Sequence, residues 1–168
     1  MKPLSRQCLL VPILLLAASV AGAQTNNATS GSSHAGHAEP AVPPIKWGPV
    51  PDVLPPGAEI AVLQGNPFAE GVYTLRLKMP NGYKVPPHFH PTDEMVTVIS
   101  GNVLFAHGDN IDRKLATTLH TGQFIDAEKN MHHYVIASGP AVVQVHGMGP
   151  FAITYVHPQD DPRTAKKP

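Results

Sequence analysis

The stretch Gly82-Tyr83-Lys84-Val85-Pro86-Pro87-His88-Phe89-His90-Pro91-Thr92-Asp93-Glu94 holds the residue types best suited to chemistry in this chain. On an extended strand, positions two apart share a face, so His88 and His90 project to one side. Glu94, another even step along, joins them where the backbone stays near-extended. Pro87 has a fixed φ and Pro91 biases His90 toward extended geometry, which lowers the entropy lost when the donors are held together. Two neutral imidazoles and a carboxylate form a borderline donor set. It suits one divalent transition metal (iron, manganese, nickel, copper or zinc) better than calcium or magnesium. A second cluster, His132-His133, lies in the run from Gly122. Antiparallel pairing brings one of the two opposite the first group; alternation lets only one face inward, and spacing does not choose between them.

The elements that must position these donors read as β-strands. From Ile45 onward the chain is a series of short β-type runs punctuated by Gly, Pro and Asn, with no long stretch at helical period. The clearest are Val72 to Met79, Glu94 to Ile99, Val103 to His107, Leu115 to Leu119, Gln123 to Asp126, His132 to Ala137, Ala141 to His146 and Ala152 to Val156. In the first, Tyr73, Leu75, Leu77 and Met79 alternate with Val72, Thr74, Arg76 and Lys78, the pattern of a strand with one dry face and one wet. Turn residues fall between the runs at Asn81-Gly82, Ser100-Gly101-Asn102, Gly108-Asp109-Asn110 and Ser138-Gly139-Pro140. Eight short strands fit a single all-β jelly-roll barrel spanning residues 45–157. His146 is a candidate for the cavity wall, with Gln144 on the same face. Tyr83, Phe89, Met95, Phe105 and Tyr134 are pocket candidates for which core packing is the ordinary role. His107, His120 and His157, at strand ends and turns, are expected to face solvent.

The flanks differ in kind. Lys2 and Arg6, the apolar run Leu9 to Val20 and the small residues Ala21-Gly22-Ala23 read as a secretory signal over residues 1–23. The run is shorter than the roughly 20 residues that cross a bilayer, so cleavage and export, to a bacterial periplasm or beyond, are expected, with no membrane attachment afterwards. Cys8, the only cysteine, falls inside that signal, so the mature chain has no disulfide. Residues 24–44, rich in Thr, Asn, Ser, Gly, Ala and Pro, read as a disordered linker, in which His34 and His37 are solvated. Residues 158–168 read as a polar tail that frays. The whole chain has 12 basic and 12 acidic residues; without Lys2 and Arg6 it has 10 against 12, a formal charge of −2. That balance speaks against a nucleic-acid partner.

The donor pattern resembles the cupin superfamily. Its first motif, Gly-X5-His-X-His-X3–4-Glu-X6-Gly, is filled at every position by Gly82, His88, His90, Glu94 and Gly101. Its second, Gly-X5-Pro-X-Gly-X2-His-X3-Asn, aligns from Gly122 and selects His133, with Glu128 in place of Pro, Asn130 in place of Gly and Ala137 in place of Asn. Asn is the non-glycine residue that best tolerates a left-handed turn, so the turn survives the exchange. The resemblance implies a metal at the barrel mouth held by His88, His90, Glu94 and His133, and two copies pairing through barrel faces as a homodimer.

Two functions follow from the resemblance. One is a metal-dependent enzyme acting on a small organic molecule, of dioxygenase type or else an isomerase or hydrolase; Glu94, if loosely held, is the candidate to move protons. The other is a non-catalytic metal- or ligand-binding module, similar to the cupin-type domains found in anti-sigma factors. A purely structural barrel needs no complete donor set.

Overall fold

The computed structural model describes residues 43–164. The signal segment and nearly all of the linker lie outside them, as does the end of the tail. The described chain forms β1 (Gly48–Pro49), β2 (Glu59–Gln64), β3 (Gly71–Met79), β4 (Lys84–Phe89), β5 (Glu94–Ser100), β6 (Asn102–His107), β7 (Thr117–His120), β8 (Phe124–Ala127), β9 (His133–Ala137), β10 (Ala141–Gly149), β11 (Thr154–Tyr155) and a 3-10 turn at Pro158–Asp160. All strand pairing is antiparallel, in two sheets: one of six strands ordered β1-β2-β3-β10-β5-β8, the other of five ordered β11-β4-β9-β6-β7. The all-β jelly roll is therefore two facing sheets and not the closed barrel expected, because among the described residues no ladder joins the edge strands. Jelly rolls deal with their edges by stacking two sheets.

Alternation builds the interior. Tyr73, Leu75, Leu77 and Met79 of β3 are buried, as are Ala141, Val143 and Val145 of β10 beside them. Cross-strand register puts Leu75 level with Val145, and Val145 with Val96 of β5; one step on, Leu77, Val143 and Val98 are level. The five-stranded sheet faces these rows with Val85, Val103 and Phe105. Its other face carries a smaller cluster of Ala106, Tyr134 and Ile136. Over this cluster the Tyr134 hydroxyl donates to Asp112 O (2.6 Å) and accepts from Asp112 N–H (2.9 Å), pinning the connection between β6 and β7.

β4 carries the first histidine and is extended, as the spacing of the donors requires, although it is not among the clearest β-type runs; Pro86 and Pro87 lie within it. Both prolines sit in a bulge between the pairs Val85↔Val135 and His88↔His133, where one extra residue on β4 breaks the ladder. A bulge is the place in a sheet that tolerates residues without an N–H. The tail also differs from expectation: polar contacts fold its first part. Arg163 donates to Asp161 (2.7 and 2.8 Å) and to Ile153 O (3.3 Å), and the Thr164 hydroxyl donates to Pro158 O (3.0 Å).

Two glycines of the first motif differ in what holds them. Both have left-handed φ, +78° at Gly82 and +76° at Gly101, but a Cβ at Gly82 meets open space while one at Gly101 runs into the backbone carbonyl of Pro140. Gly82→Ala is expected to cost about 1–2 kcal/mol from the left-handed conformation alone. Gly101→Ala is expected to cost at least about 1 kcal/mol more, since backbone must shift as well. Paired urea denaturation curves check the order of the two.

Candidate metal centre

His88 lies on β4, His90 just beyond its end, and His133 opens β9 directly opposite His88. All three rings are buried, at 3%, 4% and 1% exposure, and with Thr74 they are the buried polar residues among those described. Their ligating atoms lie within 4.8 Å of one another. Ring centroids are 4.2 Å apart for His88 and His133, 4.9 Å for His88 and His90 and 5.5 Å for His90 and His133.

Each Nδ1 is engaged by a carbonyl: His88 by Pro86 O (2.6 Å), His90 by Ala152 O (2.7 Å) and His133 by Met131 O (2.9 Å). A carbonyl only accepts, so each Nδ1 carries the hydrogen and each neutral ring keeps its lone pair on Nε2. The Nε2 atoms of His90 and His133 are buried with no hydrogen-bond partner. Glu94, first residue of β5, brings Oε2 to 3.5 Å from His90 Nε2 and 3.8 Å from His133 Nε2, with its side chain 13% exposed. Lone pairs and a carboxylate thus converge on one point. An unpartnered buried polar atom costs about 1–3 kcal/mol, and a cation removes that cost. These residues fit a divalent ion: the three histidines are positioned to bind one, and backbone carbonyls lock each ring in the tautomer required.

Aromatic rings support the imidazoles. Phe105 stacks on His133 (5.3 Å, 21°), Phe151 lies against His90 (5.2 Å), and Tyr155 against His88 (6.0 Å). Tyr73, Gly147 and Glu94 stand in one row across β3, β10 and β5. A Cβ at Gly147 would sit 2.5 Å from the Tyr73 hydroxyl, so the missing side chain is what lets the phenol lie across β10. Burial, then the Glu94 charge, raises the Tyr73 pKa well above its ordinary value and keeps the phenol protonated.

The loop entering β9 is hung from the first motif. Asn130 N–H donates to His90 O (2.8 Å), and Lys129 N–H to Asp93 Oδ1 (2.8 Å). Asn130, standing where the second motif has Gly, has φ +61° and is the non-glycine residue with positive φ among those described. The left-handed turn expected there is present.

Pairing with β4 settles which second-cluster histidine turns inward: His133 stands opposite His88. His132 faces away: its ring stacks on Phe89 (4.9 Å, 19°) and its Nδ1 meets Asp109 Oδ1 (2.6 Å). His146 and Gln144 belong to the outer face of the six-stranded sheet, not to the cavity wall. His146 Nδ1 pairs with the Thr74 hydroxyl (2.9 Å), and Gln144 accepts from Arg76 Nε (3.0 Å). Of the aromatic and methionine candidates, Phe105 lines the cavity beside the centre. Tyr83 is tied to Pro55 O (2.6 Å), Tyr134 is under the β6–β7 connection, Met95 is exposed and Phe89 turns outward. Sequence reasoning missed the three orienting carbonyls, which no residue type announces, and Phe151, which precedes β11 and carries no strand signal.

Comparison with known proteins concerns the fold. Residues 75–147 match the family described as Cupin domain. Among solved structures, an RmlC-like cupin from Shewanella frigidimarina superposes with a TM-score of 0.50 at 10% identity, covering 62% of this chain and 83% of that one. A cupin superfamily protein from Desulfitobacterium hafniense gives 0.47 at 11%, covering 55% and 77%. KdgF from Halomonas sp. gives 0.49 at 17%, covering 61% and 84%. No curated protein matches the sequence. The chain carries a cupin domain over residues 75–147.

Burial, then the neighbouring His133 and His90, pushes His88 from its ordinary 6.5 down to about 3. At Glu94 burial pulls upward, but the histidines together outweigh it and bring the carboxyl from 4.5 to about 2. In both cases the unfolded chain takes up its proton first as pH falls, so acid favours unfolding. The metal-free protein is expected to hold full stability above about pH 6.5. It then loses the His88 contribution as pH drops from 6.5 toward 3, and the Glu94 contribution between 4.5 and 2. Urea titrations in chelator from about pH 8 to about pH 2 check this, and His88→Phe is expected to flatten the upper part of the profile.

Proposed function

We propose that His88, His90, Glu94 and His133 hold one divalent transition metal, and that the protein is a metal-dependent enzyme of dioxygenase type acting on a small organic molecule. The observation that carries this reading is the pair of buried, unpartnered Nε2 atoms on His90 and His133, aimed at one point beside a carboxylate and opening on an apolar cavity. A bound metal supplies Lewis acidity and redox chemistry at the positions its protein ligands leave free.

The remaining contributions belong to the chain. Carbonyls of Pro86, Ala152 and Met131 hold each imidazole in one tautomer, so no ring must turn or lose a proton before it can donate. Glu94, held well below the ordinary carboxylate range, stays ionised at neutral pH, which suits a ligand and makes a weak general base. Tyr73 keeps its proton. The apolar walls keep bulk water from the reacting groups. The N-terminal segment supports action outside the cytoplasm, in the periplasm or beyond.

The test is elemental analysis of the purified protein beside its variants, followed by an oxygen-uptake screen. Near one metal per chain is expected, lost at least tenfold in His88→Ala and His133→Ala and retained in the outward-facing His132→Ala. Turnover is expected to disappear with the metal. Activity surviving in metal-free protein would sink the proposal. Saturable small-molecule binding with metal present and no product formed would support the non-catalytic module instead.

A further inference from the structure

The cavity beside the donors carries information about what it can hold. It runs from His88, His90 and Glu94 into the interior past Leu75, Val145 and Val96, then past Leu77, Val143 and Phe105. Apart from the three donors, every side chain lining it is apolar: it has no Lys, Arg, Ser, Thr, Asn or Gln. Its volume is about 70 Å³. That is roughly half of the ~150 Å³ in which an engineered apolar cavity accepts benzene.

Three constraints follow. A second charged group, or a row of hydroxyls, would lie against Leu and Val with no partner, and an unpaired buried polar group costs several kcal/mol. A divalent ion with three neutral imidazoles and one carboxylate leaves a net charge of +1 in a low-dielectric site, which one monoanionic head neutralises and a dianion overshoots. The volume admits only a few carbons beyond that head.

We propose that the cavity takes a small monoanion, its oxygen-donor head at the Glu94 end and a short hydrocarbon tail lying over Leu75 and Val145, which stand level on neighbouring strands. This rests on the metal reading above for the head group; the tail rests on the lining alone.

The experiment measures metal stoichiometry first, then titrates the manganese(II)-loaded full chain by calorimetry with acetate, propionate, butyrate and valerate. Succinate and 3-hydroxybutyrate serve as polar counterparts. Each added methylene is expected to tighten Kd about fourfold, the equivalent of roughly 0.8 kcal/mol, until the cavity is full. Succinate and 3-hydroxybutyrate are expected to bind at least tenfold more weakly than butyrate; a smaller gap, or no dependence on chain length, overturns the proposal. Val145→Ala, which removes two methyl groups from the wall, is expected to move the longest accepted tail out by one or two carbons, and an unchanged limit overturns the placement. A protein that binds no metal overturns the metal reading and the head group together. The tail is then read separately, from methyl shifts in metal-free protein titrated with ethanol, propanol and butanol. Chain-length-dependent shifts at the cavity leucines and valines sustain the tail, and their absence overturns it.

Discussion

Three imidazoles in the interior each give Nδ1–H to a carbonyl of their own chain and turn Nε2 toward a common point. Burying one such ring is ordinary, because a neutral histidine with both nitrogens partnered is a satisfied core residue. Three rings with their lone pairs turned on one another and on Glu94 are another matter, since no arrangement of their own hydrogens satisfies all of them. The fold accepts this cost at one end of an interior that is otherwise apolar. Both the sheet register and the loop contacts around it keep the four groups from moving apart.

The register begins with a defect. Counting on from the pair Val85↔Val135 without an extra residue would place Pro87 opposite His133; the bulge at Pro86-Pro87 advances β4 by one residue and brings His88 there. Beyond β4 the chain leaves the five-stranded sheet, and Glu94 opens β5 in the six-stranded one. The loop before β9 closes the arrangement through Asn130 N–H on His90 O. Rigidity around the donors thus comes from backbone hydrogen bonds between segments remote in sequence, while the aromatic rings of Phe105, Phe151 and Tyr155 fill the space behind them.

Much of this was legible in the residues. Alternation on β3 named its buried face, and the punctuation by Gly, Pro and Asn marked most strand ends. The first motif named His88, His90 and Glu94 because ligand spacing on an extended chain is a local property. Failures came where the deciding fact is not local. β4 was missing from the clearest runs because two adjacent prolines fit inside a strand only at places such as a bulge, and a bulge is a property of two strands. His146 lies on the outer face of a sheet because β10 is packed by Ala141, Val143 and Val145; its own neighbours in sequence give a polar and an apolar alternative equally. The choice of His133 over His132 needed the partner strand, or the second motif standing in for it. Whether two sheets close into a barrel depends on edge pairing, about which strand patterns are silent.

The donors do not all belong to one sheet. His88 and His133 pair within the five-stranded sheet, and Glu94 stands at the start of a strand in the six-stranded one. An ion held by all of them is a staple between the two layers, in a chain whose single cysteine cannot close a disulfide of its own. With such an ion bound, the sheets would not slide or part without breaking coordination, and opening of the jelly roll would be tied to release of the ion. Lifetime of the folded state, and resistance to proteases that cut only opened chain, would then become functions of metal supply.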